Sequence, residues 1–290
     1  MEHSISEVQN VDFLAVASIH EAISLCESKK GMEFFPILDN QRKIKNIYLA
    51  HQQTPVLKKQ NSVVIMAGGL GSRLGEITKN CPKPLLKIGE RPLLHQILMR
   101  FKMHGFENFY LSINHMADKI KEYFQDGDDL GINITYLEEP KKLGTSGSLF
   151  YLKDQIFEPF LVTNGDILTT IDYSTLLELH IENKADTTVA CREESIHFPF
   201  GVVESTDGIV KNFVEKPKIC KNISAGIYAF SPSVFNELPN EPTHLDMNTF
   251  ITRLINKNYE VRSFVFEEEW IDIGTPDKLE KAKTMNRLKP

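Results

Sequence analysis

The sequence lacks the features that mark secreted, cysteine-ligated and membrane-spanning proteins. Its four cysteines are scattered and form no Cys-x-x-Cys pair, so neither a cysteine-based metal site nor a disulfide framework is indicated. No apolar run approaches the length of a membrane span, and the first residues lack the basic stretch and apolar core of a signal peptide. We therefore expect a cytoplasmic protein with reduced thiols.

An excess of positive charge is also missing. The net charge of −6 argues against binding to nucleic acid or to an anionic membrane surface, because both attract basic proteins. Lysines and arginines nevertheless cluster near the ends of predicted strands, which is compatible with a bound triphosphate. At 290 residues, the chain can form one large α/β domain with a small addition.

The chain falls into two blocks. The first holds a predicted helix at Ile19–Ser28 and two short predicted strands, Phe34–Leu38 and Ile44–Leu49. The polar stretch 52–62 has few residues that can be buried and is interpreted as a linker. These patterns predict a small module at 1–58 and a large domain at 59–290.

Strands and helices alternate through the large block, which is typical of a mostly parallel sheet with helices on both faces. One strand is predicted at Thr187–Cys191, and Asp246 is predicted to cap a later helix. Between Gly201 and Phe230 the pattern changes to short strands with turns, which predicts an antiparallel lid over the sheet edge.

A glycine-rich turn follows the first predicted strand of the large block. The run Gly68-Gly69-Leu70-Gly71-Ser72-Arg73 can close tightly around a phosphate chain and direct its N–H groups at the oxygens. Arg73 and Lys83 add positive charge. The Gly-Lys-Ser/Thr of a P-loop is missing, as is the acid that a dinucleotide site needs about 20 residues further on. The turn favours an enzyme that cleaves a triphosphate; plain turn glycines are the alternative.

Two aspartates stand at predicted strand ends, where open α/β sheets bind their ligands. Asp166 follows a buried strand in Asn164-Gly165-Asp166, and Asp272 lies in Trp270-Ile271-Asp272-Ile273-Gly274. Mg²⁺ is commonly held by one or two carboxylates together with substrate phosphates. The pair therefore suggests a magnesium site, although a lone aspartate before a helix is more often a cap.

Six segments in order resemble the sugar-phosphate nucleotidyltransferases, a family that joins an NTP to a sugar 1-phosphate and releases pyrophosphate. They are Gly68–Arg73 with Lys83-Pro84, Glu139–Gly147, Gly165-Asp166, Glu215–Pro217, Ser224–Tyr228 and Trp270–Pro276. The resemblance implies an α/β fold of the nucleotide-diphospho-sugar transferase type, with a Rossmann-like mostly parallel sheet and an antiparallel lid.

The resemblance also implies a role for individual residues. Arg73, Lys83 and Asp166 would be catalytic, and Asp166 and Asp272 would hold Mg²⁺. The nucleotide would contact Ala67, Gly68, Gly69, Gly71, Ser72, Glu139, Gly144 and Thr145. The sugar phosphate would contact Gly201, Glu215, Lys216, Ala225 and Gly226.

Glu139 bears on the choice of base. Family members place a polar side chain there, facing the base, and a carboxylate only accepts hydrogen bonds. Guanine offers an imino and an amino group side by side, whereas uracil and thymine flank one N–H with carbonyls. The residue favours GTP, unless it points to solvent or pairs with Lys141 or Lys142. UTP, dTTP and CTP stay open as alternative substrates.

The first block resembles a single CBS motif over residues 10–57. CBS motifs precede this transferase in guanylyltransferases that make GDP-glucosamine for legionaminic acid, a bacterial surface sugar. The resemblance implies glucosamine 1-phosphate as acceptor, with mannose or heptose 1-phosphate as alternatives. CBS motifs normally occur in pairs, whereas only one is visible here. The single motif could pair with its copy in a homodimer, or the first motif could be missing. No acid occurs in the segment Ala50–Gln53, where the family binds ribose, and this argues against adenine-nucleotide sensing.

The alternative that is not an enzyme is a regulatory subunit, which binds sugar nucleotides without turning them over. Such subunits tend to lose the arginine, the lysine or a metal aspartate. This chain keeps Arg73, Lys83, Asp166 and Asp272 together, which favours the enzyme.

Overall fold

The computed structural model describes residues 15–16, 34–39, 43–49 and 57–285, in two units, Met1–Leu57 and Lys58–Pro290. In the described part of the first unit, strands β1 (Phe34–Leu38) and β2 (Ile44–Leu49) pair antiparallel, with the bounds that the sequence predicts. Phe35 and Ile37 of β1 are buried. The predicted helix Ile19–Ser28 lies outside the described residues.

The second unit is an α/β structure. Its strands are β3 (Lys59–Met66), β4 (Lys87–Ile88), β5 (Arg91–Pro92), β6 (Phe106–Ile113), β7 (Asn133–Glu138), β8 (Phe160–Asn164), β9 (Ile167–Thr169), β10 (Thr187–His197), β11 (Val202–Thr206), β12 (Ile209–Val214), β13 (Lys218–Phe230), β14 (Val261–Val265) and β15 (Trp270–Asp272). Its α-helices in the described residues are α1 (Leu93–Met103), α2 (Ala117–Phe124), α3 (Tyr173–Glu182), α4 (Met247–Asn256) and α5 (Pro276–Thr284). The 3-10 helices there are Ser72–Thr78, Lys83–Leu85, Asp128–Leu130, Gly147–Leu152 and Pro232–Glu237.

A sheet of seven strands, in the order β14-β10-β13-β8-β3-β6-β7, runs through the described part of this unit. Its neighbours pair parallel except where β13 lies between β10 and β8. Smaller pairings join β4 to β5, β9 to β15 and β11 to β12. This confirms the predicted α/β fold with a mostly parallel sheet and antiparallel strands.

The central strands of the sheet are buried on both faces, because they carry apolar side chains on each face. On β3, Val63 and Ile65 enter a core with α1, α2, α3 and α5, whereas Val64 enters a second core with α4 and the 3-10 helix Gly147–Leu152. The two cores hold the carboxyl ends of the parallel strands in place.

Two predicted boundaries are wrong. The stretch 59–62 is not linker but the start of β3, because its backbone pairs with β6 and Asn61 Nδ2 donates to the Pro159 carbonyl at 2.7 Å. Strand β10 does not end at Cys191 but continues to His197, because β13 pairs with it along that whole length. Backbone pairing lets polar residues extend a strand without burying apolar side chains.

The second part of β10, from Cys191 to His197, pairs antiparallel with the first part of β13, from Lys218 to Ser224. Together with the hairpin β11–β12, they form the antiparallel region that the sequence predicts between Gly201 and Phe230. The side chains of β12 are exposed throughout. Of the helices in the described residues, none has the length and apolar character that a membrane crossing requires.

Candidate functional site

A cleft of about 1020 Å³ opens where β3 and β8 end. Its lining comes from segments that follow these strands and from parts of β13, β15 and α5. Of the predicted site residues, the cleft is lined by Ala67, Gly68, Gly69, Gly71, Ser72, Arg73, Lys83, Glu139, Gly144, Thr145, Asp166, Ala225, Gly226 and Asp272. Residues from distant parts of the chain thus meet in one place.

The glycine turn connects β3 to the 3-10 helix Ser72–Thr78 and lines the cleft. Gly71 has φ +65°, and a Cβ there would lie 2.9 Å from Thr78 Cγ2, so a larger residue would be both strained and crowded. Thr78 Oγ1 donates to the Gly71 carbonyl at 3.1 Å and closes the turn. In the described residues the backbone N–H groups from Gly68 to Gly71 donate no hydrogen bond, so they are available to an anion.

Lys83 forms an ion pair with Asp166. Its ammonium nitrogen lies 2.5 Å from Asp166 Oδ2, and the two side chains are only 11% and 21% exposed. Lys83 begins the short 3-10 helix Lys83–Leu85, whereas Asp166 lies between β8 and β9. Both residues were predicted to be catalytic, but their direct contact is visible only in the folded protein.

Arg73 lies against the backbone of Gly274. A Cβ at Gly274 would be 3.0 Å from Arg73 Nη2 and 3.1 Å from Cζ. In the described residues no carboxylate forms an ion pair with the guanidinium, which lines the cleft and is available to phosphate oxygens. The glycine of the Trp270–Pro276 segment therefore makes room for this arginine.

Asp166 and Asp272 lie side by side because β9 pairs with β15. Asp272 is opposite Ile167, and the Ile273 N–H donates to the Asp166 carbonyl at 2.9 Å. Asp272 Oδ1 is buried with no hydrogen-bond partner in the described residues, and Oδ2 lies 3.7 Å from Lys278 Nζ. A buried carboxylate oxygen without a donor suits a cation.

The two carboxylates fit Mg²⁺ as part of a ligand set. Within the described ranges, no group of three or more His, Cys, Asp and Glu side chains is arranged to hold a metal. An ion at Asp166 and Asp272 would therefore need its other ligands from phosphate oxygens or water, which is how Mg²⁺ is usually bound beside nucleotides.

Glu139 is buried, and each of its carboxylate oxygens accepts one hydrogen bond. The Ser112 hydroxyl donates to Oε1, and the Leu143 N–H donates to Oε2 at 2.8 Å. The side chain lines the cleft and faces Gly68, where a Cβ would lie 3.4 Å from Oε1. It neither extends into solvent nor forms an ion pair with a lysine in the described part of the chain.

The segment Gly144–Thr145 is joined to the start of α4. A Cβ at Gly144, which has φ +80°, would lie 2.6 Å from the Leu245 carbonyl oxygen. Thr145 Oγ1 accepts from the Met247 N–H at 2.8 Å. Asp246 occupies the predicted N-cap position, but its side chain makes no cap bond, so the prediction is wrong for the side chain. Thr145 instead satisfies the first free N–H of the helix.

A bulge in β13 carries Ala225 and Gly226 into the cleft. Pairing with β10 shifts between Ser224 and Tyr228, and Gly226 has φ +74°. The Trp270 indole N–H donates to the Ala225 carbonyl at 2.9 Å, which holds the bulge. Burial raises the pKa of the Tyr228 hydroxyl, although a hydrogen bond with Ser224 opposes the shift. The hydroxyl is therefore neutral near pH 7.

Gly201, Glu215 and Lys216 lie outside the cleft lining, at the base of the β11–β12 hairpin. Glu215 and Lys216 are largely exposed, with their charged atoms 4.0 Å apart. A Cβ at Gly201 would contact the Phe213 ring at 2.7 Å, so this glycine has a packing role. Their assignment to the sugar phosphate stays a prediction.

The cleft also contains polar residues that sequence reasoning did not assign. They include Lys142, Asn164, Ser224, His244, Asp246 and Lys278. Asn164 could have been found, because it directly precedes Gly165-Asp166 at a strand end. Lys278 and His244 give no such signal, since their place in the cleft depends on how α5 and the segment before α4 pack.

Comparisons with known proteins identify relatives of this chain. The chain is 31% identical over 222 residues to a mannose-1-phosphate guanylyltransferase of Arabidopsis thaliana, covering 73% of this chain and 61% of that protein. It is also 31% identical over 236 residues to a UTP–glucose-1-phosphate uridylyltransferase of Synechocystis, covering 74% and 60%. The chain thus spans about three-fifths of the length of these curated relatives.

The chain also resembles a solved structure and matches the sequence model of a family. HddC from Yersinia pseudotuberculosis, complexed with GMP-PN, superposes with a TM-score of 0.59 at 26% identity, covering 77% of this chain and 98% of that one. The sequence model of the family named Nucleotidyl transferase matches residues 62–287. The chain therefore belongs to the nucleotidyl transferase family.

Proposed function

We propose that this protein is a sugar-1-phosphate guanylyltransferase, which converts GTP and a sugar 1-phosphate into a GDP-sugar and pyrophosphate. The observation that carries the proposal is the meeting of an open glycine turn, two cationic side chains and two aspartates in one cleft. A cleft with only one of these groups would suit many ligands. Together they suit two polyanionic substrates. The reaction consumes a nucleoside triphosphate. Because this is a substrate of the cytoplasm, the proposal places the protein there.

The proposed mechanism follows from the charges. An oxygen of the sugar 1-phosphate attacks the α-phosphorus of GTP in line, and the bond to the leaving pyrophosphate breaks. The nucleophile is already an anion, so no general base is required. Arg73, Lys83 and the turn N–H groups position the triphosphate and stabilise the charge that develops on it.

Asp166 and Asp272 would hold Mg²⁺, which supplies charge neutralisation at the phosphate oxygens when bound. The unpartnered Oδ1 of Asp272 supports this assignment. Lys216 and Glu215 would contact the sugar phosphate and the sugar hydroxyls. Because they lie outside the cleft lining, this part of the proposal requires the antiparallel region to approach the cleft.

GTP is favoured by Glu139 and by the relatives. The two hydrogen bonds to Glu139 leave one accepting position free on each carboxylate oxygen, enough for the adjacent imino and amino groups of guanine. Mannose-1-phosphate guanylyltransferases are among the curated relatives, and one solved relative was complexed with GMP-PN. A uridylyltransferase among the relatives makes UTP the second candidate.

Glucosamine 1-phosphate is the proposed acceptor. Its support is the resemblance of residues 10–57 to a CBS motif, an arrangement found with guanylyltransferases of legionaminic acid synthesis. Mannose 1-phosphate is the second candidate, because mannose-1-phosphate guanylyltransferases are among the relatives. We further propose that the CBS-like module joins two copies of the chain. Light scattering on the full chain would give twice its mass of 33.1 kDa if the proposal is right.

Pyrophosphate release tests the proposal directly. The protein is incubated with Mg²⁺, glucosamine 1-phosphate and one of the five common NTPs at a time, and the panel is repeated with mannose 1-phosphate. Release with GTP and glucosamine 1-phosphate alone supports the proposed reaction, nucleotide and acceptor. Release with UTP would contradict the assignment of GTP from Glu139 but would still support the proposed type of reaction. No release with any pair, under conditions where the protein is folded, would point first to another acceptor, tested next with a wider panel of sugar 1-phosphates, and only then to a regulatory subunit.

A further inference from the structure

We propose that Lys83 and Asp166 form an ionic latch, which keeps divalent metal off Asp166 until a nucleotide draws the lysine away. The inference rests on the proposed function, because it concerns how the same cleft takes up metal and nucleotide. It makes their binding mutually dependent.

The contact itself is the first argument. Lys83 Nζ lies 2.5 Å from Asp166 Oδ2, well within hydrogen-bonding distance, and both side chains are largely shielded from water. The described residues offer Lys83 no second carboxylate partner. Without substrate, the ammonium therefore occupies an oxygen that the proposed metal site needs.

The asymmetry of the two carboxylates is the second argument. Asp272 keeps Oδ1 without a partner, and the nearest cation, Lys278, is 3.7 Å from Oδ2 and about half exposed. Asp166 instead carries a buried lysine at contact distance. A cation in that position both occupies a ligand oxygen and repels a second cation, and water screens this repulsion poorly in a shielded site. Asp166 is thus the carboxylate at which metal entry is controlled.

The nucleotide provides the alternative partner. Lys83 lines the same cleft as the open N–H groups of the glycine turn, and a Cβ at Gly71 would lie only 3.3 Å from Lys83 Cβ. Phosphate oxygens held by this turn would come within reach of the ammonium. If Lys83 moves to phosphate, Oδ2 of Asp166 is released. Nucleotide then tightens metal binding, and metal tightens nucleotide binding by the same factor.

Binding of Mn²⁺, measured by the electron paramagnetic resonance signal of the free ion, tests the latch without any turnover. Affinity is measured with and without a non-hydrolysable GTP analogue for the wild type, Lys83→Gln and Lys83→Met. Both variants should bind Mn²⁺ alone about tenfold or more tightly than the wild type. Both should also lose most of the increase in affinity that the nucleotide causes in the wild type.

Lys142→Met is the matched control. It removes the same charge from the lining of the same cleft, but Lys142 makes no ion pair in the described residues. Its Mn²⁺ affinity should stay within about twofold of wild type. Lys83→Gln keeps a hydrogen-bond donor beside Asp166 and protects the test against a folding defect in Lys83→Met. Thermal unfolding identifies such a defect.

The outcomes separate the latch from the proposed reaction. Unchanged or weaker Mn²⁺ binding in both Lys83 variants would overturn the latch, even in a fully active enzyme. Absence of Mn²⁺ binding to the wild type with nucleotide would overturn it together with the metal assignment. The latch is supported if the Lys83 variants bind Mn²⁺ more tightly and if adding Asp166→Asn abolishes this gain. This result supports the latch whether or not pyrophosphate is released in the functional assay.

Discussion

Replacing Gly274 with alanine tests whether enzyme activity depends on the observed position of the Arg73 guanidinium. The new Cβ would be 3.0 Å from Nη2 and 3.1 Å from Cζ, tighter than ordinary van der Waals contact. Gly274 does not have a positive φ, so alanine adds no backbone strain. The guanidinium is the far end of a flexible side chain. We expect it to move aside and leave the fold intact.

The expected loss of activity can be derived from that displacement. A hydrogen bond to a charged group contributes about 1.5–3 kcal/mol. If the moved guanidinium loses one such bond to a phosphate in the transition state, kcat/KM falls about 10- to 150-fold. The fold should instead keep its stability or gain up to about 1 kcal/mol, because alanine has less freedom than glycine in the unfolded chain. Activity and stability are thus predicted to move in opposite directions.

A double-mutant cycle provides the control. Pyrophosphate release is measured for the wild type, Gly274→Ala, Arg73→Ala and the double variant, and thermal unfolding is followed for all four. Once the arginine is absent, Gly274→Ala should cost nothing further. A loss of equal size in both backgrounds would show that the methyl group acts on something else. Unchanged activity of the single Gly274→Ala variant would refute the role of the Arg73 position.

Three further predictions concern the metal site, a helix end and a buried histidine. Asp272→Asn should lower pyrophosphate release about 100-fold or more at saturating Mg²⁺ with unchanged thermal unfolding, and wild-type turnover would contradict the metal assignment. Thr145→Val should lower the free energy of unfolding by about 1 kcal/mol in urea titrations, because Met247 N–H loses its acceptor; Thr145→Ser should restore it. Burial lowers the pKa of His180 from 6.5 to about 4, so the folded state resists protonation that the unfolded state accepts. Stability should therefore fall by up to about 3 kcal/mol between pH 7 and pH 4, and His180→Gln should flatten that decline; equal pH profiles would contradict the prediction.

Much of the fold could be predicted because it depends on local patterns. Strands β1 and β2 have the predicted bounds, and the alternation of strands and helices predicts the mostly parallel sheet. Prediction failed where pairing overrides composition. Polar residues from Lys59 to Ser62 become strand because β6 provides backbone partners, and β10 extends because β13 does.

The sequence by itself determined which groups carry the chemistry: a glycine turn, cations at Arg73 and Lys83, and aspartates after strands. These are properties of residue type and short spacing. Only the tertiary structure decided how the groups meet. The pairing of Lys83 with Asp166 across 83 residues, and the contact of Arg73 with Gly274, arise from sheet order and helix packing. A cation and a carboxylate attract at any separation along the chain, so their pairing follows from the fold and not from the spacing of the motifs.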